Sequence, residues 1–252
     1  MLLILPPSES KRDGGTVRPL DLAALSFAEL APARAHVVDA TVELASDVDA
    51  TMRALKLGPR QAAEVERNRT LWSAPTMPAI DRYTGVLFDA LDAATLDAPA
   101  RRFAASHLAV HSAMFGLVGA LDRIPAYRLS HDSRLPGIRL KQVWRERLGE
   151  VLAARPGLIV DLRSEGYTDL GPAPVRAGSV YVRVVSVDDG GRRRALNHFN
   201  KHAKGRFARA YLEHRPRLRS VDGLLEWAGS AGFRLELGSD RSGAPLELEL
   251  VA

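Results

Sequence analysis

The 252-residue chain contains no cysteine. Disulfides, thiolate nucleophiles, zinc–thiolate sites and cysteine-ligated iron–sulfur clusters are thereby excluded. No stretch reaches the roughly 18–20 apolar residues that a membrane-spanning helix needs. The opening MLLILPPSESK has an apolar run with no positive charge before it and too short a core for a secretion signal, so the protein is expected in the cytoplasm, away from membranes. Walker spacing, paired dinucleotide glycines, a G-x-S-x-G elbow and an H-E-x-x-H zinc motif are all missing, which leaves a nucleotide loop, a hydrolase triad and a metalloprotease without support. What is present is ordinary for a globular protein: 46% hydrophobic and 26% charged residues, enough for a buried core and too apolar for wholesale disorder.

The formal charge is +5, and its distribution says more than its sum. Between Arg192 and Arg219 stand ten basic residues and one acid, Glu213, which puts +9 there and about −4 on the remainder. Such a distribution is expected of a phosphate-binding surface; a solvated arginine-rich helix is the plainer reading. Residues 197–213 read as a helix. At 100° per residue Phe199, Ala203, Phe207, Ala210 and Tyr211 share a core-facing arc, and Lys201, Lys204, Arg206 and Arg209 share the opposite one. Gly205 falls within the basic arc, where close approach of a ligand is one reason to accept the helix cost of glycine.

Elsewhere the pattern is mixed. Leu2–Leu5 reads as a buried strand stopped by Pro6-Pro7, and the polar loop Ser8 to Gly15 carries hydroxyls and Lys11 that suit a small anion. Residues 27–68 are helical with breaks near Ser46 and Gly58. Within 47–70, Leu57, Gly58, Pro59 and Arg60 either form a helix-hairpin-helix that offers backbone N–H groups to a DNA phosphate or make an ordinary helical corner. Helices are expected over Val86–Leu91, Lys141–Ala154 and Val221–Trp227. Strands are expected over His107–Met114, Leu158–Leu162, Ser179–Val187, Phe233–Leu237 and Leu246–Val251, with a turn at residues 188–191. The sum is a single compact domain of mixed α and β class (α+β or mixed α/β), with a mixed sheet, flanking helices and a helical pair near Gly58. His107/His111 and His198/His202 each stand four apart, but a strand separates the first pair by roughly 13 Å and neighbouring cations disfavour metal at the second. No metal site or cofactor is expected. Glu9, Asp122 and Glu165 are isolated carboxylates in turns.

Six ordered stretches resemble the YaaA family of bacterial peroxide-stress proteins, in its actinobacterial form: LLILPPSESK, YTGVLFDAL from Tyr83, HSAMFGLVGALDRIPAYRL from His111, KQVWRERL from Lys141, LIVDLRSEGY from Leu158 and NKHAKGRFARAYL from Asn200. The resemblance implies a cytoplasmic protein that limits free iron and Fenton damage, with an unusual mixed α/β fold, a positive cleft and a helix-hairpin-helix. It places the hairpin at Leu57, Gly58 and Arg60 and the cleft on Lys201, Lys204 and Arg209. Ser8, Tyr83, Thr84, Gly85, Ser164, Glu165 and Tyr167 match recurring family motifs. The primary expectation is sequence-independent binding of duplex or branched DNA. The alternative is an enzyme for a small anionic or nucleotide-like substrate, with Ser8, Lys11, Tyr83, Thr84, Ser164, Glu165 and Tyr167 in one cleft beside the basic helix. Three polar turns that follow strands or open helices, the usual place for α/β sites, motivate it.

Overall fold

The computed structural model describes residues 1–187, 192–195, 199–239 and 242–252. The turn at 188–191, Asn197 and His198 lie outside the described residues. The elements follow in chain order. The strands are β1 (Leu2–Leu5), β2 (Met77–Pro78), β3 (Leu108–Ser112), β4 (Gly116–Gly119), β5 (Arg123–Ile124), β6 (Ile159–Asp161), β7 (Ser179–Val187), β8 (Arg193–Ala195), β9 (Arg234–Leu237) and β10 (Leu246–Val251). The helices are α1 (Ala31–Leu44), α2 (Val48–Ala54), α3 (Ala63–Arg69), α4 (Ala79–Arg82), α5 (Val86–Leu91), α6 (Ala98–His107), α7 (Leu140–Ala154), α8 (Glu165–Thr168), α9 (Phe199–His214) and α10 (Val221–Ser230).

One mixed sheet organises the chain, in the order β4-β3-β1-β6-β7-β10-β9, with β8 pairing the far half of β7. The five inner strands β3-β1-β6-β7-β10 are parallel, and β4 and β9 close the edges antiparallel. Every residue of β1, β3 and β6 is buried, so both faces of the sheet centre are covered, as parallel sheets require. Pro6 and Pro7 end β1 because neither has an N–H for the ladder. Connections leave β1 towards β3 on one side and return to β6 on the other. The strand order therefore reverses between β1 and β6, the place where open α/β sheets form a crevice at the carboxyl ends of their strands.

Two buried arginines act as backbone clamps. Arg34 donates to the carbonyls of Phe115 (2.9 Å), Leu117 (2.6 Å) and Ser26 (2.6 Å). Arg82, on α4, donates to the carbonyls of Arg12, Gly14 (3.0 Å), Pro75 (2.9 Å) and Ile124 (3.1 Å), and so fixes the loop after β1. The helical pair near Gly58 belongs to the main core: Leu55, Leu57 and Val65 lie in the same apolar cluster as the central strands.

α9 departs from the arc read from its sequence. Lys204 and Gly205 are on the buried side with Phe207, Ala208, Tyr211 and Leu212, while Arg206 is exposed. A Cβ at Gly205 would stand 2.2 Å from the carbonyl oxygen of Leu87 and 2.8 Å from the Ala90 Cβ. Glycine here lets α9 close on α5; it does not open the helix to a ligand.

Candidate functional site

A cleft of 650 Å³ opens at the carboxyl ends of β1 and β6. The loop after β1 contributes Ser8, Glu9 and Ser10, the start of α5 contributes Thr84 and Gly85, and the segment before α7 contributes Ser130, His131 and Asp132. The turn after β6 adds Ser164 and Tyr167, and α9 adds Asn200, Lys201 and Lys204. Gly85 has φ +95°, and a Cβ there would come within 3.3 Å of the Ser8 hydroxyl, so glycine lets the two turns meet.

Of the residues singled out from the sequence, the fold brings Ser8, Thr84, Gly85, Ser164, Tyr167, Lys201 and Lys204 together here. Others lie behind or outside the cleft. Lys11 is buried beneath the loop, where Nζ donates to the carbonyls of Ser8 (2.9 Å) and Glu9 (3.2 Å) and sits 4.0 Å from the Tyr127 ring centre. Loss of solvent, reinforced by nearby Arg128, brings its ammonium down to about 7. Tyr83 joins a buried hydroxyl chain to Tyr127 (2.7 Å) and on to Ser112 (2.7 Å); burial pushes both phenols up. Glu165 faces outwards onto Arg183 (3.2 Å). Arg209 donates to the carbonyls of Leu91 and Asp92 and pairs with Glu213 (2.8 Å), tying α9 to the end of α5.

Two N–H groups of the corner at Gly58 are engaged within it. Leu57 N–H donates to the Met52 carbonyl (2.8 Å) and Gly58 N–H to the Gln61 side chain (2.9 Å). The positive φ of the turn falls on Lys56 (55°), and Gly58 is extended, φ −78°. This is the geometry of a helical corner, with Arg60 exposed beside it. The first histidine pair also parts. His107 ends α6 stacked on Phe103, His111 lies within β3, and His202 is exposed. Asp122 caps a turn, accepting from the N–H groups of Ser26 and Gly119, each at 2.8 Å.

Beneath the cleft lies a network the sequence did not reveal. Asp161 accepts from Arg163 Nε (2.8 Å) and Nη2 (2.6 Å), both residues being buried. Arg163 Nη1 donates to His111 Nδ1 (2.8 Å). A guanidinium is only a donor, so His111 carries its proton on Nε2. Burial, with Arg163 alongside, keeps this imidazole neutral by driving its pKa well below the usual value. The His111 ring meets Tyr167 edge to face at 5.4 Å, and Tyr167 forms part of the cleft wall. A short-range D-x-R signal after an apolar strand was available at Asp161 and Arg163; His111, the partner of Arg163 52 positions upstream, was not.

The charges around the cleft are unevenly compensated. Glu9 pairs with Arg128 (2.7 Å), Asp132 with Lys56 (2.6 Å) and Glu165 with Arg183. Lys56 and Ser130 together hold the Asp132 carboxyl down at about 2. Among the described residues neither Lys201 nor Lys204 has a carboxylate within 4 Å. Lys204 is 3% exposed, and its Nζ donates to the Arg163 carbonyl at 3.3 Å. Burial lowers it to about 8; Asp161 and Glu165 oppose that shift and Arg183 adds to it. The cleft thus holds hydroxyls, an amide and two lysines, a set suited to an anion. Among the described residues no group of three or more histidine, aspartate and glutamate side chains could hold a metal ion. No helix there is long and apolar enough to cross a membrane.

Relatives match this chain in sequence over most of its length. The chain is 44% identical over 247 residues to a UPF0246 protein of Corynebacterium efficiens, covering 96% of this chain and 97% of that one. It is 42% identical over 241 residues to a UPF0246 protein of Corynebacterium glutamicum, covering 94% and 95%. It is 39% identical over 258 residues to a UPF0246 protein of Streptomyces coelicolor, covering 100% and 98%. Residues 1–237 match the family model described as peroxide stress protein YaaA, and to that family the chain belongs.

Proposed function

We propose that this cytoplasmic member of the peroxide-stress family binds a small phosphate-bearing metabolite in the cleft between β1 and β6 and acts on it there. One observation carries the reading: Lys204, buried and without a carboxylate partner among the described residues, faces a hydroxyl-lined cleft where the acidic neighbours are already paired. An anion restores the missing partner. A volume of 650 Å³ also falls within the range of about 300–1,000 Å³ typical of small-molecule sites. Thermal unfolding against inorganic phosphate, pyrophosphate and nucleotides tests the reading. Phosphate compounds should stabilise the wild type, by about 2.7 kcal/mol at a hundred times Kd. Lys204→Met should abolish the shift and Arg206→Ala should leave it. Equal stabilisation of wild type and Lys204→Met would refute it.

A second reading, sequence-independent binding of duplex or branched DNA, is favoured by the exposure of Lys201, Arg206, Arg217 and Arg219 on and just beyond α9. Lys204 and Arg209 do not belong to such a surface, the first being buried and the second paired. Contact with about six phosphates would reduce affinity about a thousandfold between 50 and 200 mM salt, and replacing Lys201, Arg206 and Arg217 by alanine would flatten the salt slope by up to about three units. An unchanged slope removes these residues from any DNA surface.

A further inference from the structure

The chain has only five lysines, its other thirty basic residues being arginine. Two of the five, Lys201 and Lys204, line the cleft, and a third, Lys11, lies beneath its loop. For simply holding phosphate, arginine is the better residue: it is permanently charged, bidentate and less costly to strip of water. Lysine differs in one chemical respect, since it can lose its proton and become a nucleophile. The placement of Lys204 favours that form. Its amine is enclosed, and the carboxylate of Asp161 beneath it is already engaged by Arg163 in two short hydrogen bonds. Among the described residues its amine donates one hydrogen bond, to a backbone carbonyl, which leaves a lone pair available to the cleft.

We propose that Lys204 is a nucleophilic amine that forms an imine with a small phosphorylated aldehyde or ketone bound in the cleft. This rests on the anion-binding reading above. The Nζ lone pair attacks the carbonyl carbon and makes the C–N bond. The carbonyl oxygen then leaves as water with the two amine hydrogens, so no oxidant or reductant is consumed. Lys201, one helical turn away, and the hydroxyls of Ser8, Thr84 and Ser164 are the groups available to hold the phosphate. The charged groups that face the amine are Asp161 on β6, Glu165 on α8 and Arg183 on β7; burial outweighs the two carboxylates and leaves the neutral form well populated near neutral pH.

The test is reductive trapping on the full-length protein. Pyridoxal 5′-phosphate is the probe, cyanoborohydride the reductant, and the modified lysine is located by peptide mass spectrometry. A group titrating at about 8 carries about two hundred times more neutral amine at pH 7 than an ordinary lysine, so Lys204 should label at least tenfold faster than exposed Lys56 or Lys141. Labelling should slow as the pH falls below 8, and inorganic phosphate should suppress it. Lys204→Arg should lose the adduct but keep stabilisation by phosphate. If phosphate stabilises the protein and adducts appear only at other lysines, the imine proposal fails and the anion-binding reading stands. If neither stabilisation nor a Lys204 adduct is seen, both fail. Equal labelling by pyridoxal, which lacks the phosphate, would overturn the assigned substrate class.

Discussion

Replacing Gly205 by alanine sets two effects of opposite sign against each other. In an exposed helix interior the change stabilises by about 0.8–1 kcal/mol, because alanine has the better helix propensity. At this position the new Cβ would lie 2.2 Å from the Leu87 carbonyl oxygen and 2.8 Å from the Ala90 Cβ. Both atoms belong to α5, one of them to its backbone, so no side chain can swing aside and the two helices must separate by about 1 Å. Overpacking of this kind costs roughly 1–3 kcal/mol. A gap of 0.5–1 Å also forfeits about a quarter to a half of each dispersion contact along the seam, where Phe207 and Ala208 of α9 and Leu87, Phe88 and Leu91 of α5 are all buried. The net expectation is a loss of about 2 kcal/mol, or about 4–8 °C in melting temperature for a chain of this size. Gly149 is the matched control: it lies within α7, and a Cβ there would meet nothing within 4 Å. Gly149→Ala should therefore raise the melting temperature by about 2–3 °C. Thermal and urea unfolding of the two variants beside wild type decide the matter. If Gly205→Ala is stabilised like Gly149→Ala, α9 does not rest on α5 as described. The displacement should also weaken phosphate binding, because Lys204 is the adjoining residue.

Asp161→Ala leaves the Arg163 guanidinium buried without its carboxylate and should cost about 3–5 kcal/mol in urea unfolding, with Asp161→Asn losing less; a loss below 1 kcal/mol would show that the pair is not enclosed. Lys11 gives a pH signature. Its folded-state value of about 7 lies below the unfolded value near 10.5, so from about pH 7 upwards the unfolded chain holds a proton that the folded protein has released. The stability from this group is therefore lowest below pH 7 and rises with pH by at most about 1.4 kcal/mol per unit. The neutral amine keeps two N–H bonds, the number of carbonyls it meets. Lys11→Met should flatten the stability profile between pH 7 and 8; an unaltered slope would place the titration elsewhere.

Much of the framework was legible because it rests on local pattern. Leu2–Leu5, Val86–Leu91, Ser179–Val187 and Leu246–Val251 form the elements their composition and periodicity predict, and the turns at Ser8, Thr84 and Ser164 meet at one crevice as strand–turn patterns imply. The errors have a common cause. Helical periodicity assigns faces by hydrophobicity, so it put Lys204 and Gly205 on the solvent side. The buried face of α9 is set instead by the carbonyl of Leu87 and by the crevice, which accept a glycine and a lysine stem. Arg34, Arg82 and Arg163 evaded recognition for the same reason: their partners are carbonyls and side chains remote in sequence, which composition cannot supply. At Gly58 the letters suited two geometries, and the choice depended on Gln61, whose side chain engages the N–H that a phosphate would need.

The clamp at Arg82 bears on how this part of the molecule can diverge. All four of its acceptors are main-chain oxygens, at Arg12, Gly14, Pro75 and Ile124, and every amino acid carries that atom. Apart from Gly14 and Gly15, both at positive φ, the residues around the guanidinium can drift in identity while the path of the strand-exit loop stays fixed, so relatives with unlike letters there can present the Ser8 hydroxyl in the same place. Substitution at position 82 itself has no such latitude, since no other side chain reaches four oxygens from one point.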